Sequence, residues 1–135
     1  MPTYKNSINF CYCNIGGLNT HHVNKLNDEN FLREIHDYDV IILAETHVGY
    51  NTTIVTEQFD YFPVCRNIST NGRYYGGLAI LRKKWLKDHI RIMQTACKNY
   101  QWLQFDKSPI RPIFMCGMHS PSQLDLYKTT QLWYY

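Results

Sequence analysis

The run Val40-Ile41-Ile42-Leu43-Ala44 constrains this chain more than any other stretch. Five apolar, β-prone residues in succession leave no polar face for solvent, so the run reads as a strand buried on both faces. The residue that follows is Glu45. A carboxylate at the end of a buried strand loses hydration unless something pairs with it. In layered α/β sheets, ligands gather at the carboxyl ends of strands. A hard cation such as Mg2+ is a natural partner. It needs one or two protein carboxylates, and waters and substrate phosphates complete its octahedron. A solvated glutamate at a strand end fits the same pattern, and periodicity does not separate the two.

The flanking sequence reads as short strands, loops and two helical segments. Residues 8–13 alternate, with Ile8, Phe10 and Tyr12 on one face and Cys11 and Cys13 on the other. Asn14 to Asn19 holds two glycines and two asparagines, so a turn is expected there. Asn27 is expected to cap a helix. Asp28 and Glu29 stand in its first turn, and Phe31, Leu32 and Ile35 share its apolar face. Further strands are expected at 61–65, 77–81, 90–93, 102–105 and 113–118, and Gly72, Gly76 and Gly77 mark a hairpin or a close approach of backbone. A second helix is expected over 123–135, ending in the apolar cluster Leu132-Trp133-Tyr134-Tyr135. Such a cluster is a poor place for a domain to finish.

Composition narrows the class. An apolar fraction of 44% in 135 residues argues for one folded domain with a real core. The eleven tyrosines suit a packed sheet or a surface that stacks on bases. A formal charge of +3 is far from that of a dedicated nucleic-acid clamp, but permits transient contact with nucleic acid. No segment approaches the roughly 20 apolar residues of a membrane helix, and the first residues lack the apolar core of a signal peptide. The five cysteines are an odd number, and they read as reduced thiols of an intracellular protein.

Other residues could carry chemistry. Asn14 could fix a phosphate oxygen through its amide, or merely turn the chain. His119 follows an apolar strand and could act as acid, base or phosphate contact. The basic run 82–87 could track a phosphate backbone or form a solvated face. Cys11, Cys13, His21 and His22 pose a zinc question, though structural sites space their cysteines more widely. No P-loop, G-x-S-x-G or C-x-x-C motif is present.

In order, these pieces resemble the endonuclease/exonuclease/phosphatase superfamily. Asn14-Ile15-Gly16-Gly17-Leu18 looks like its first asparagine motif, and residues 39–47 look like its glutamate motif. Tyr75-Gly76-Gly77-Leu78-Ala79-Ile80-Leu81 looks like its glycine-rich strand, and residues 113–122 look like the strand that normally ends in tyrosine-proline. The form Glu45-Thr46-His47, with Gly-Gly-Leu-Ala-Ile-Leu downstream, points most to the endonuclease domain of non-LTR retrotransposons.

The resemblance implies an α/β fold, part of a four-layer sandwich of two mixed sheets flanked by helices. It implies Mg2+ or Mn2+ held by Glu45, phosphate positioning by Asn14, and DNA phosphates as the partner. Arg66, Arg73 and Lys83 would be DNA contacts, in an intracellular setting that includes the nucleus. Two departures stand out. His119 occupies the position of the family's catalytic tyrosine, and the sequence contains neither the G-D-x-N nor the S-D-H motif. Residues 1–135 are therefore expected to be an incomplete domain, inactive or nearly so alone. A phosphatase of inositol phosphates and a non-enzymatic zinc module are the alternatives.

Overall fold

A computed structural model of the chain describes residues 8–20, 23–52, 54–65, 72, 74–93, 100–105 and 113–118. The central strand is Val40–Ala44 (β4), and all five of its residues are buried, as the unbroken apolar run requires. It pairs in parallel with Phe10–Asn14 (β1), Phe10 opposite Val40 and Asn14 opposite Ala44. A parallel pair needs a long crossover. Here the crossover carries the two-residue strands Asn19–Thr20 (β2) and Val23–Asn24 (β3), a 3-10 turn at Lys25–Asn27 and the helix Glu29–Ile35 (α1).

On its other side β4 pairs antiparallel with Leu78–Lys83 (β6), which pairs antiparallel with Phe59–Val64 (β5). The order β1-β4-β6-β5 makes a mixed four-stranded sheet. Pro63 is tolerated because β5 lies at the edge, where a missing N–H breaks no inner ladder. A second sheet is antiparallel throughout: Ile90–Met93 (β7), Tyr100–Phe105 (β8) and Ile113–Met118 (β9). Among the described residues this sheet shows antiparallel pairing alone, as the short connections between its strands favour hairpins over a crossover.

Alternation along the strands sorts the core into two sides. Ile41, Leu43, Ala79 and Leu81 meet Leu26, Ile35 and, from β1, Cys11 and Cys13. Val40, Ile42 and Ile80 meet Ile90, Leu103 and Phe105 of the second sheet, with Phe10 and Tyr12 beside them. Phe10 and Phe105 meet edge to face at 5.4 Å. Each such large side chain contributes about 2 kcal/mol by leaving water. The described residues thus form three layers: helix and loops, mixed sheet, antiparallel sheet.

The helix cap differs from expectation by one position. Asp28, not Asn27, caps α1, its carboxylate accepting from Asn30 N at 2.9 Å. Burial of Leu26 draws 25–27 into the 3-10 turn, which Asn24 caps by accepting from Leu26 N. Asp28 is then the first extended residue that can face the helix. The second expected helix lies outside the described residues.

Candidate metal centre at the end of the buried strand

Because β1 and β4 are parallel, their carboxyl ends lie side by side. Asn14 is opposite Ala44, so Glu45 is the next residue along. The backbone then stays paired past the strand ends: Gly17 N donates to Glu45 O at 2.7 Å and Leu18 N to Thr46 O at 2.8 Å. From the other side, Thr46 N donates to Gly77 O and His47 N to Gly76 O. Residues 45–47 are therefore clamped between the Gly17 loop and the entry to β6.

This clamped segment is conformationally costly. Glu45 has φ of 57° and His47 of 54°, left-handed values that disfavour any residue with a Cβ by about 1–2 kcal/mol. Such outliers persist only where surrounding contacts over-determine them, and they concentrate at functional sites. Here the over-determination is visible. Thr46 is 1% exposed, and a Cβ on Gly77 (φ 93°) would strike its Oγ1. Gly17 (φ 105°) faces the imidazole, where an added Cβ would stand 3.5 Å from Nδ1, in ordinary van der Waals contact.

The two left-handed residues meet through their side chains. Nε2 of His47 donates to Oε2 of Glu45 at 2.6 Å, since an ionised carboxylate can only accept. The Glu45 side chain keeps 25% of its exposure and that of His47 34%, so solvent still reaches both. Tyr75 closes on the imidazole edge to face at 6.3 Å. The Tyr12 phenol is pushed up from its ordinary pKa, first by burial and then by the negative charge of Glu45 and by Cys13. It therefore stays protonated beside the carboxylate.

Asn14 is half-buried, and its Oδ1 accepts from Gly16 N at 3.1 Å, the bond of an Asx turn. Its amide thus turns the chain while standing at the same sheet end as Glu45. Lys83 is not brought there. It sits at the far end of β6, where Nζ donates to His36 O at 2.7 Å and to Gln58 Oε1, over the ring of Phe59. Arg66, Arg73, His119, His21 and His22 lie outside the described residues. Cys11 and Cys13 pack against the apolar core, and burial followed by the neighbouring Cys13 pushes the Cys11 thiol up.

Among the described residues no three His, Cys, Asp or Glu side chains converge on a metal position. A hard cation does not require that. A partly solvated carboxylate, with a side-chain amide at the same sheet end, suits Mg2+ or Mn2+, with waters completing the shell. It does not suit structural zinc, which takes four sulfur or nitrogen ligands. A cavity of about 650 Å³ opens elsewhere, between α1 and residues 55–59, and Leu32, Arg33, His36, Val55 and Phe59 are among its lining residues. It lies at the amino end of β4, far from the carboxylate. The carboxylate end carries the more specific chemistry, because backbone strain and a carboxylate–imidazole contact coincide there.

Sequence reasoning singled out Glu45 and Asn14 but gave no role to His47, Thr46, Tyr75 or Tyr12. The sole signal for them was their place within or beside the glutamate and glycine motifs. No family model matches the chain, and neither does any curated protein or solved structure. No helix among the described residues is long and apolar enough to cross a membrane.

Proposed function

We propose that this chain contributes the glutamate half of a Mg2+- or Mn2+-dependent phosphodiester hydrolase site, endonuclease-like and of retrotransposon type. The parent fold would be the four-layer sandwich of the endonuclease/exonuclease/phosphatase superfamily. One observation carries the reading: the parallel pairing of β1 and β4 puts Asn14 and Glu45 at the same sheet end. Glu45 would hold the cation and Asn14 would position the scissile phosphate or the groups around it. The cation, when bound, supplies charge stabilisation for the phosphate and leaving oxygen. DNA is the proposed substrate, met at its phosphates.

A second reading, a phosphatase of inositol phosphates or a similar small ester, draws on the position of Lys83. That cation is engaged at the opposite end of the sheet and does not line the carboxylate. A zinc module has little to support it, since Cys11 and Cys13 face the apolar core. Two assays test the main reading. Mn2+ should bind the purified chain and should be lost in Glu45→Gln. Supercoiled plasmid with Mg2+ should stay intact, because the G-D-x-N and S-D-H groups are not in this sequence. Nicking that vanishes in Glu45→Ala would show that the site needs nothing more, and Mn2+ binding unaffected by Glu45→Gln would remove the reading altogether.

A further inference from the structure

We infer that His47 is a positioning residue for the Glu45 carboxylate: its imidazole holds the cation ligand in one rotamer. The inference rests on the reading of Glu45 as that ligand. Four observations carry it. The contact from His47 Nε2 to Glu45 Oε2 is 2.6 Å, at the short limit for an N–H···O bond. Both partners of this contact, and no other non-glycine residue among those described, take left-handed backbone. The ring has two further neighbours: Gly17, where an added Cβ would come into ordinary van der Waals contact with Nδ1, and the edge-on ring of Tyr75. The backbone of His47 is itself tied to Gly76 O at 2.9 Å.

A histidine supported in this way is costly to build for a partly solvated side-chain contact, which even between full charges contributes about 0–1 kcal/mol. Its use becomes clear at the other partner. A free glutamate has three rotatable bonds, and a cation must order all of them on binding. A carboxylate already held through one oxygen has lost that freedom in advance. Metal-ligating carboxylates are commonly hydrogen-bonded from behind in this manner, and removing such a support weakens metal affinity by about 10–100-fold.

The test is Mn2+ binding to the full 135-residue chain, followed by water-proton relaxation, with thermal unfolding as the check on folding. His47→Ala should weaken Mn2+ by about 10-fold or more. His47→Gln presents an N–H near the position of Nε2 and should return affinity to within about 3-fold of the original. If Glu45→Gln abolishes binding while His47→Ala binds as the original does, the inference about His47 is overturned and Glu45 stands. Loss in His47→Ala without rescue by Gln also overturns it, because the imidazole would then act on the cation directly. If the original chain fails to bind Mn2+, or Glu45→Gln binds equally well, the parent reading falls and takes this one with it. Should His47→Ala fail to fold, the ring nitrogens of His47 in the original chain decide. Their chemical shifts should move as Mg2+ saturates the protein, and shifts that stay still would overturn the inference.

Discussion

The two ends of the mixed sheet solve different problems with different residues. At the amino end of β4, charged side chains are used up in holding the structure. Arg82 is 7% exposed, donates to Ile90 O at 2.8 Å and to Asp60 at 2.9 Å, and lies over the ring of Phe62. Lys83 satisfies the carbonyl of His36 at the end of α1. At the carboxyl end the backbone is strained and the polar side chains stay partly wet, with Glu45 and His47 in contact with each other. One end spends its polar groups on stability. The other holds a carboxylate ready at some expense of stability, a division expected where a sheet carries a site at its carboxyl edge.

The comparison can be broken at either end. The largest effect is expected for Gly77→Ala. The substitution adds a Cβ at φ 93° and drives it into Thr46 Oγ1, so about 3 kcal/mol or more should be lost in urea unfolding. Near-normal stability would mean that the clamp around Thr46 yields easily. Next is Arg82→Met, which leaves Ile90 O and the partly exposed Asp60 without their donor. A loss of about 2–3 kcal/mol is expected, and a tolerated change would remove the structural role assigned to the amino end.

A smaller effect concerns Tyr61, midway along β5. Its phenol is pushed above the ordinary 10.0 by burial first, then by Cys65 and Tyr50. The unfolded chain ionises first, so this contribution is complete below about pH 10 and is lost as pH rises beyond it. Tyr61→Phe should therefore lose less stability than the original between pH 8 and pH 11, by about 1 kcal/mol. An identical alkaline loss would place the hydroxyl in water. The smallest effect is Lys83→Met, expected to cost about 0.5–1 kcal/mol and to leave Mn2+ binding untouched. A change in Mn2+ affinity would link the two ends and dissolve the contrast.

Much of this frame was legible beforehand. The doubly buried strand followed from five consecutive apolar residues, and the faces of β1 followed from its alternation. The chain reversal after Asn14 followed from its glycines and asparagines. The site was legible only in part. Glu45 could be placed at a strand end, but nothing in a glutamate or histidine announces left-handed backbone, because neither favours it. That conformation is imposed by hydrogen bonds from residues 17–18 and 76–77, which are remote in sequence. The place of Lys83, away from the carboxylate, was not legible for a related reason. Its surroundings depend on the register of β6 against β5, which sets it opposite Phe59. The strands β2 and β3 were missed because two residues carry no periodicity.

The pairing of Thr46 and His47 with Gly77 and Gly76 also has a consequence for the order of assembly. Residues 10–44 contain everything needed to form the parallel β1/β4 unit, and Asn14 and Glu45 are neighbours as soon as that unit closes. The carbonyls that hold Thr46 and His47 arrive only with β6. Until then residues 45 and 46 are held from one side alone, by the Gly17 and Leu18 amides. The final conformation of residues 45–47 is therefore a late step of assembly, coupled to docking of a strand more than thirty residues downstream. A nascent or half-folded chain would display the same glutamate without this geometry, so any property that depends on it would be a property of the assembled sheet alone.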